Sequence, residues 1–401
     1  MKQLIVGAGL MLAALSAEAE GHLKAVLQQA DSGHPTKLTL TLTNDGDGPV
    51  SFEKQNTPID LLDGVHTAND QFDVEAMGTA EPAPARFQGY FVHYSGHPVE
   101  NFITLQPGQM KVATYDLVPD YDLSPKTTYQ VTFRMRVGQG PVDDQDNVIP
   151  NDLHLPVEQA VVSNTLLVTT PDEKAMHTAM ARIQASPADF PPVTDPKRLG
   201  QLSDAVSYGR SWMANPAWVN YEEGLPPHGK DTAVSIHSAA YKQWFGTYNN
   251  NDHYDKVITG TLHAIADRLD QSPEGTALHK ITFIDGCSSS TGATAVAVAH
   301  TGSVKASGVY EIAICERFWK LDPKPTKGKV GDSMAGTMVH EVSHFFDLPT
   351  DPLGWSNPTY DWAGYAYSRS ACHKLVTDSR AKAVASASNF EYFIEDVQEF
   401  F

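Results

Sequence analysis

His340, Glu341 and His344 stand in the order H-E-x-x-H within Met338-Val-His-Glu-Val-Ser-His-Phe-Phe346. On a helix, residues four apart lie one turn apart on one face, so both imidazoles can reach a single ion while Glu341 projects from nearly the same side. Two neutral imidazoles and one oxygen ligand leave an open position on Zn2+. The ion then polarises a substrate carbonyl and acidifies a water, and the carboxylate between the histidines takes the proton. An ordinary surface helix carrying two histidines would give the same letters. With 16 His and 48 Asp plus Glu in 401 residues, however, composition alone yields only about 0.04 such matches per chain. The flanks support the catalytic reading, because residues 334–339 are small or apolar and Phe345 and Phe346 follow at once, the pattern of a buried helix.

The elements that must position this helix come from a chain of 401 residues, long enough for two domains with full cores. Apolar content of 41% and charged content of 19% are those of a folded protein. A formal charge of −19 argues against nucleic acid or an anionic membrane as the main partner, since both select basic surfaces. Lys2, an apolar run from Leu4 to Leu15 and the small-x-small site Ala17-Glu18-Ala19 predict a secretory signal peptide over residues 1–19. No other stretch reaches the ~18 apolar residues of a membrane span, so an exported, soluble protein is expected; it is read separately as a monomer acting on proteins or peptides. Three cysteines in an oxidising compartment predict one disulfide with one residue left over. Cys287 and Cys315 flank a candidate hairpin and are the favoured pair, whereas Cys372 lies in a helical pattern and reads as a small buried core residue.

Residues 20–170 carry β signals. Lys37 to Thr43 and Thr128 to Val137 alternate strictly, and Val50-Ser-Phe52, Phe102 to Leu105, Met110 to Leu117 and Val161 to Thr169 follow or precede Pro/Gly turns. This spacing predicts an antiparallel sandwich of immunoglobulin-like type, with no catalytic cluster and with His93 and His97 as ordinary polar residues. Residues 171–195 are polar and proline-broken and read as an interdomain connection open to proteolysis. From 196 to 401 the pattern is mainly helical. Tyr254 to Asp270 sets Ile258, Leu262, Ile265 and Leu269 on one face, and Tyr365 to Ala385 returns to helix. Ile281 to Ile284 and Val309 to Cys315 read as strands, and Tyr392 to Phe401 as an acidic, aromatic tail. The expected fold is therefore an all-β immunoglobulin-like domain followed by a mainly α (α+β) zincin-type catalytic domain.

Several stretches occur in one order: Trp244-Phe-Gly-Thr-Tyr248, Ile281-Thr-Phe-Ile-Asp-Gly-Cys287, Ile314-Cys-Glu-Arg-Phe-Trp319, Ala335-Gly-Thr-Met-Val-His-Glu-Val-Ser-His-Phe345 and Asn389-Phe-Glu-Tyr-Phe393. Over residues 236–393 the chain thereby resembles the aspzincin metallopeptidases, the deuterolysins and peptidyl-Lys metalloendopeptidases. Its β region is similar in kind to the pro-domains of bacterial members. The resemblance implies one Zn2+ per chain and a third ligand in a G-T-x-D-x-x-Y-G motif. Here Pro358-Thr-Tyr-Asp-Trp-Ala-Gly-Tyr365 matches at Thr359 and Asp361, with Pro358 in place of Gly and a longer loop from His344. Asp361 is thus implied as ligand beside His340 and His344, and Glu341 as base. A carboxylate is a sound third ligand for catalytic zinc; Asp347 and Asp351 compete for the role but lie close to the helix end. The family's oxyanion-donating Tyr falls on Gly364, so Tyr365 is the implied donor and Tyr367 the reserve. Glu391 matches one of the carboxylates with which lysine-selective members bind the residue after the scissile bond, while Ser388 replaces the other.

The implied protein is an exported zinc endopeptidase made as a proenzyme. The expected cut lies within 171–195, with the bonds before Lys174 and Lys197 as candidates for self-cleavage. Two alternatives stand beside it. One is a zinc hydrolase of another family with a different third ligand. The other is a non-catalytic immunoglobulin-like binding protein with a structural metal site, which would have no use for Glu341.

Overall fold

Alternation of apolar and polar residues makes the first part of the chain a set of half-buried strands. The computed structural model describes residues 20–78, 83–143, 147–156, 158–176, 191–213, 239–249, 254–275, 277–287, 292–325, 331–345, 359–362 and 368–398. The expected signal peptide and residues 177–190 of the expected connection lie outside these.

The N-terminal strands are β1 (Leu23–Asp31), β2 (His34–Asn44), β3 (Val50–Glu53), β4 (Phe72–Ala76), β5 (Ala83–Pro84), β6 (Tyr90–Tyr94), β7 (Phe102–Leu105), β8 (Met110–Asp116), β9 (Thr128–Val137), β10 (Gln159–Val162) and β11 (Leu166–Thr169). One antiparallel sheet has the order β1-β2-β8 and a second the order β10-β9-β4-β5 with β11 also on β9, while β3 and β7 form a ribbon. Every second residue of β2 (Leu38, Leu40, Leu42) and of β9 (Val131, Phe133, Met135) enters one shared core with Phe52, Phe72 and Tyr115. The alternating stretches read in the sequence fall in β2 and β9, and the single stretch Val161 to Thr169 is two short strands.

The C-terminal part comprises α1 (Pro196–Met213), α2 (Ala239–Phe245), α3 (Tyr254–Leu269), β12 (Lys280–Asp285), β13 (Ala295–His300), α4 (Ser303–Ser307), β14 (Val309–Ile314), α5 (Met334–Ser343), α6 (Arg369–Asp378), α7 (Arg380–Ala383) and α8 (Ala387–Gln398). Its sheet has the order β12-β14-β13-β6, so it takes a strand from the N-terminal part. β12 runs parallel to β14, and β13 antiparallel to both β14 and β6. The parallel pairing brings the ends of β12 and β14 together, and Cys287 and Cys315, one or two residues beyond them, are joined in a disulfide. Cys372 is buried in the core.

Three expectations change. The stretch Tyr365 to Ala385 is two helices in its described part, because Ser379 ends α6 and its side chain accepts from Lys382 N to start α7. The supposed tail from Tyr392 is the second half of α8, whose Phe390, Phe393 and Ile394 are core residues. The end of the expected connection belongs to the C-terminal sheet: Val193 N donates to Phe283 O at 2.9 Å and Asp285 N to Pro191 O at 2.8 Å, so residues 191–193 cover the outer edge of β12.

α5 is buried along its whole length, so its ends cannot rely on water. Ser333 caps the first turn, its Oγ accepting from Gly336 N at 2.9 Å. At the other end the buried guanidinium of Arg268, from α3, donates to Val342 O at 2.8 Å, satisfying a terminal carbonyl and complementing the negative end of the helix. Gly336 has no side chain because a Cβ there would collide with the Glu395 carboxylate of α8. Replacing Arg268 by Met keeps the apolar stem but removes this donor. The variant should lose about 1.5–3 kcal/mol of stability, read from denaturant unfolding; a wild-type midpoint would show the carbonyl satisfied in another way.

Candidate active site

One turn of α5 separates His340 from His344, whose ring centroids are 5.0 Å apart. The segment 359–362 crosses the end of this helix: Thr359 N donates to Ser343 O at 3.1 Å, which carries Asp361 to both rings. Asp361 Oδ1 lies 3.2 Å from His340 Nε2, and Oδ2 lies 3.2 Å from His344 Nε2. Each ring is held from behind. His340 Nδ1 is 3.0 Å from Glu391 Oε2, and His344 Nδ1 is 2.9 Å from Thr359 O. With Nδ1–H donating to those acceptors, both Nε2 lone pairs face the Asp361 carboxylate.

That arrangement fits a cation. His344 Nε2 and Asp361 Oδ1 are buried and make no hydrogen bond among the described residues. Ligand atoms around a tetrahedral zinc, with bonds of 2.0–2.2 Å, stand about 3.3 Å apart, close to the 3.2 Å contacts observed. A second cluster, His93, His340 and Glu391, also groups within 4.8 Å. There, however, His340 offers the nitrogen already facing a carboxylate, which is the arrangement of a supporting partner. Burial works against the charge on Asp361, yet His340 and His344 pull its carboxyl below the usual range. Burial also raises Glu341 well above the carboxylate range and Glu391 to about 8.

Glu341 is fully buried beside these side chains, with Oε1 3.7 Å from His93 Nδ1. Glu391 projects from α8. One oxygen faces His340, and Oε1 has no hydrogen-bond partner among the described residues. Ser388 is buried near the start of the same helix. Tyr365 and Tyr367, and the competing Asp347 and Asp351, lie outside the described residues.

Two residues at the site were not anticipated. His93, expected to be an ordinary polar residue, is fully buried with its ring centroid 4.2 Å from that of His340. Its Nε2 is 3.4 Å from Asp332 Oδ2 and 3.9 Å from Glu391 Oε2. Asp332 directly precedes the Ser333 cap; burial opposes its charge, and His93 nevertheless draws its carboxyl below the usual range. His97, by contrast, pairs with Glu53 at 2.5 Å as a polar residue of the N-terminal part.

A buried H-E-x-x-H helix with an aspartate between its two imidazoles is an arrangement that could hold a catalytic metal ion. Residues 230–395 match the aspzincin family model, described as lysine-specific metallo-endopeptidase. The chain is 26% identical over 371 residues to an extracellular protease of Aeromonas hydrophila, covering 90% of this chain and 88% of that one. It is 27% identical over 384 residues to a peptidyl-Lys metalloendopeptidase of Grifola frondosa, covering 92% and 90%. A peptidyl-Lys metalloendopeptidase of Armillaria mellea matches at 36% over 85 residues, 21% of this chain and 20% of that one. Over residues 230–395 the chain is thus similar to the aspzincin family, and the chain is a metalloendopeptidase.

The contact between Glu391 and His340 gives a test. Glu391→Gln replaces a carboxyl acceptor by an amide that holds His340 less firmly and should weaken zinc binding about 10- to 100-fold, measured by chelator competition. Unchanged affinity would confine Glu391 to substrate contacts.

Proposed function

We propose that the chain is an exported zinc endopeptidase, made as an inactive precursor, that holds one Zn2+ through His340, His344 and Asp361. The observation that carries this reading is the convergence of three buried donor atoms whose imidazoles are both held from behind at Nδ1. Bound there, Zn2+ supplies a Lewis acid for the scissile carbonyl and acidifies water at neutral pH. Glu341 takes a proton from the attacking water and passes it to the leaving amine, so the C–N bond breaks without a free amide anion. Tyr365, one position beyond the place where the resemblance sets the tyrosine, donates a hydrogen bond to the oxyanion. Glu391 favours Lys after the scissile bond, consistent with the lysine specificity in the description of the matching family.

The remaining parts of the reading rest on organisation. Residues 1–19 are the signal peptide, 20–170 an immunoglobulin-like pro-domain, 171–195 the connection cut on activation, and 196–401 the catalytic domain of a monomer. Two antiparallel sheets over one core support the immunoglobulin-like description. A relative named an extracellular protease supports export, and no described helix is long and apolar enough to cross a membrane. The position of Asp361 between both imidazoles favours it over another third ligand, and a buried Glu341 beside them favours catalysis over a structural site.

Glu341→Gln should retain zinc and fold while peptide hydrolysis falls at least about 10²- to 10⁴-fold. Zinc content, circular dichroism and turnover of a quenched peptide check this on one sample, and near-normal turnover by the zinc-loaded variant would overturn the mechanism.

A further inference from the structure

β6 lies along β13, placing His93 opposite Ala297 and Phe91 opposite Ala299. Thr301 N donating to Gly89 O at 3.1 Å and Ser95 N to Thr294 O at 2.8 Å extend the pairing at both ends. Alternation sets Phe91 and His93 on one face about 6.7 Å apart, near the ~6 Å rise between residues four apart on a helix. Phe91 therefore stacks on His344, with centroids 4.2 Å apart and planes 7° from parallel, and His93 lies on His340. The His93 imidazole continues past His340 to sit between Asp332 and Glu391, with Nδ1 3.7 Å from Glu341 Oε1.

We propose that β6 occupies the groove in which an extended peptide substrate binds, with His93 in the place of the substrate's cationic side chain between Asp332 and Glu391. This rests on the endopeptidase reading and adds to it both the means of silencing and a specificity residue, Asp332. An extended segment added to a sheet edge is held by its main chain, and pockets for alternate side chains select it. β6 has the main-chain pairing, and its alternate side chains fall on the two histidines of α5. Asp332 supplies a second carboxylate to a pocket in which Ser388 has replaced one, and Glu391 Oε1, which has no hydrogen-bond partner among the described residues, leaves capacity for an ammonium donor. The strand is also anchored as a substrate would not be. Val92 N donates to Asn69 Oδ1 at 2.9 Å. Ion pairs Lys305–Asp122 (2.8 Å), Arg136–Asp378 (3.0 Å) and Lys374–Glu158 (2.6 Å) tie the N-terminal part to the catalytic part on either side. While β6 stays, Glu341 is sealed from any incoming peptide.

The test uses the intact, zinc-loaded full-length chain, its mass verified, on a quenched peptide with Lys after the scissile bond. His93→Glu sets a third carboxylate against Asp332 and Glu391 and should expel β6. Hydrolysis should rise at least about tenfold, with unchanged zinc content and with faster hydrogen exchange over residues 295–300. His93→Ala, which adds no charge, should show a smaller rise in both readouts. In the His93→Glu background, Asp332→Asn should raise KM for the Lys peptide about tenfold with kcat within about twofold, and leave KM for an Ala counterpart unchanged. The proposal is overturned if intact wild type is as active as His93→Glu. It is equally overturned if both His93 variants stay as slow as wild type although residues 295–300 exchange freely. An unchanged KM in Asp332→Asn removes the role of Asp332. Absence of hydrolysis by every form, including wild type cut within 177–190 with zinc bound, refutes the endopeptidase reading and this proposal with it.

Discussion

Two hydrogen bonds, from His340 Nδ1 to Glu391 and from His344 Nδ1 to the Thr359 carbonyl, decide where the lone pairs of both imidazoles point, and much of the catalytic part serves to keep those acceptors in place. The Thr359 carbonyl is fixed because its segment is stitched to Ser343 O on one side and, through Tyr360 N, to Ala385 O on the other. Glu391 reaches His340 only because α8 closes on α5 at Gly336. That approach buries a second carboxylate, Glu395, which Ser333 Oγ meets at 2.8 Å and Arg369 at 3.1 Å. Buried charges are tolerated only when paired and hydrogen-bonded, so the capping serine serves both the helix and its neighbour.

The metal helix was legible because its signal is local: residue types, a four-residue spacing and an apolar surround are all contained in ten positions. The disulfide was legible because few cysteines leave few pairings. β13 was not, since Ala-Val-Ala-Val-Ala-His lacks the bulky alternation and turn residues that mark a strand, and its burial comes from being central to a sheet. α8 was mistaken for a tail because Glu391, Glu395 and Asp396 look like a solvated face. The apolar spacing of Phe390, Phe393 and Ile394 was the signal that outweighed them. His93 had no local signal: its importance comes only from a partner strand distant in sequence, which no window of residues contains.

The division of the chain into two parts is correspondingly clean in composition and less so in space. The N-terminal sheets close over a core of their own, and helices α1, α3 and α5 share another with β13 and β14. Yet Phe91 belongs to the first core while its ring lies flat on His344, so the packing that orders one part bears directly on the chemistry of the other.

The strand order β12-β14-β13-β6 also has a kinetic meaning. Its last pairing joins residues about 200 positions apart, and closing so long a loop costs more entropy than the short pairings within either part and slows folding. The N-terminal sheets are synthesised first and pair over shorter separations, so β6 would be in place as a template before the C-terminal sheet is complete. A catalytic part deprived of that template after folding would return more slowly from the unfolded chain. Its working lifetime is then governed by the height of its unfolding barrier, a rate, and not by an equilibrium between folded and unfolded forms.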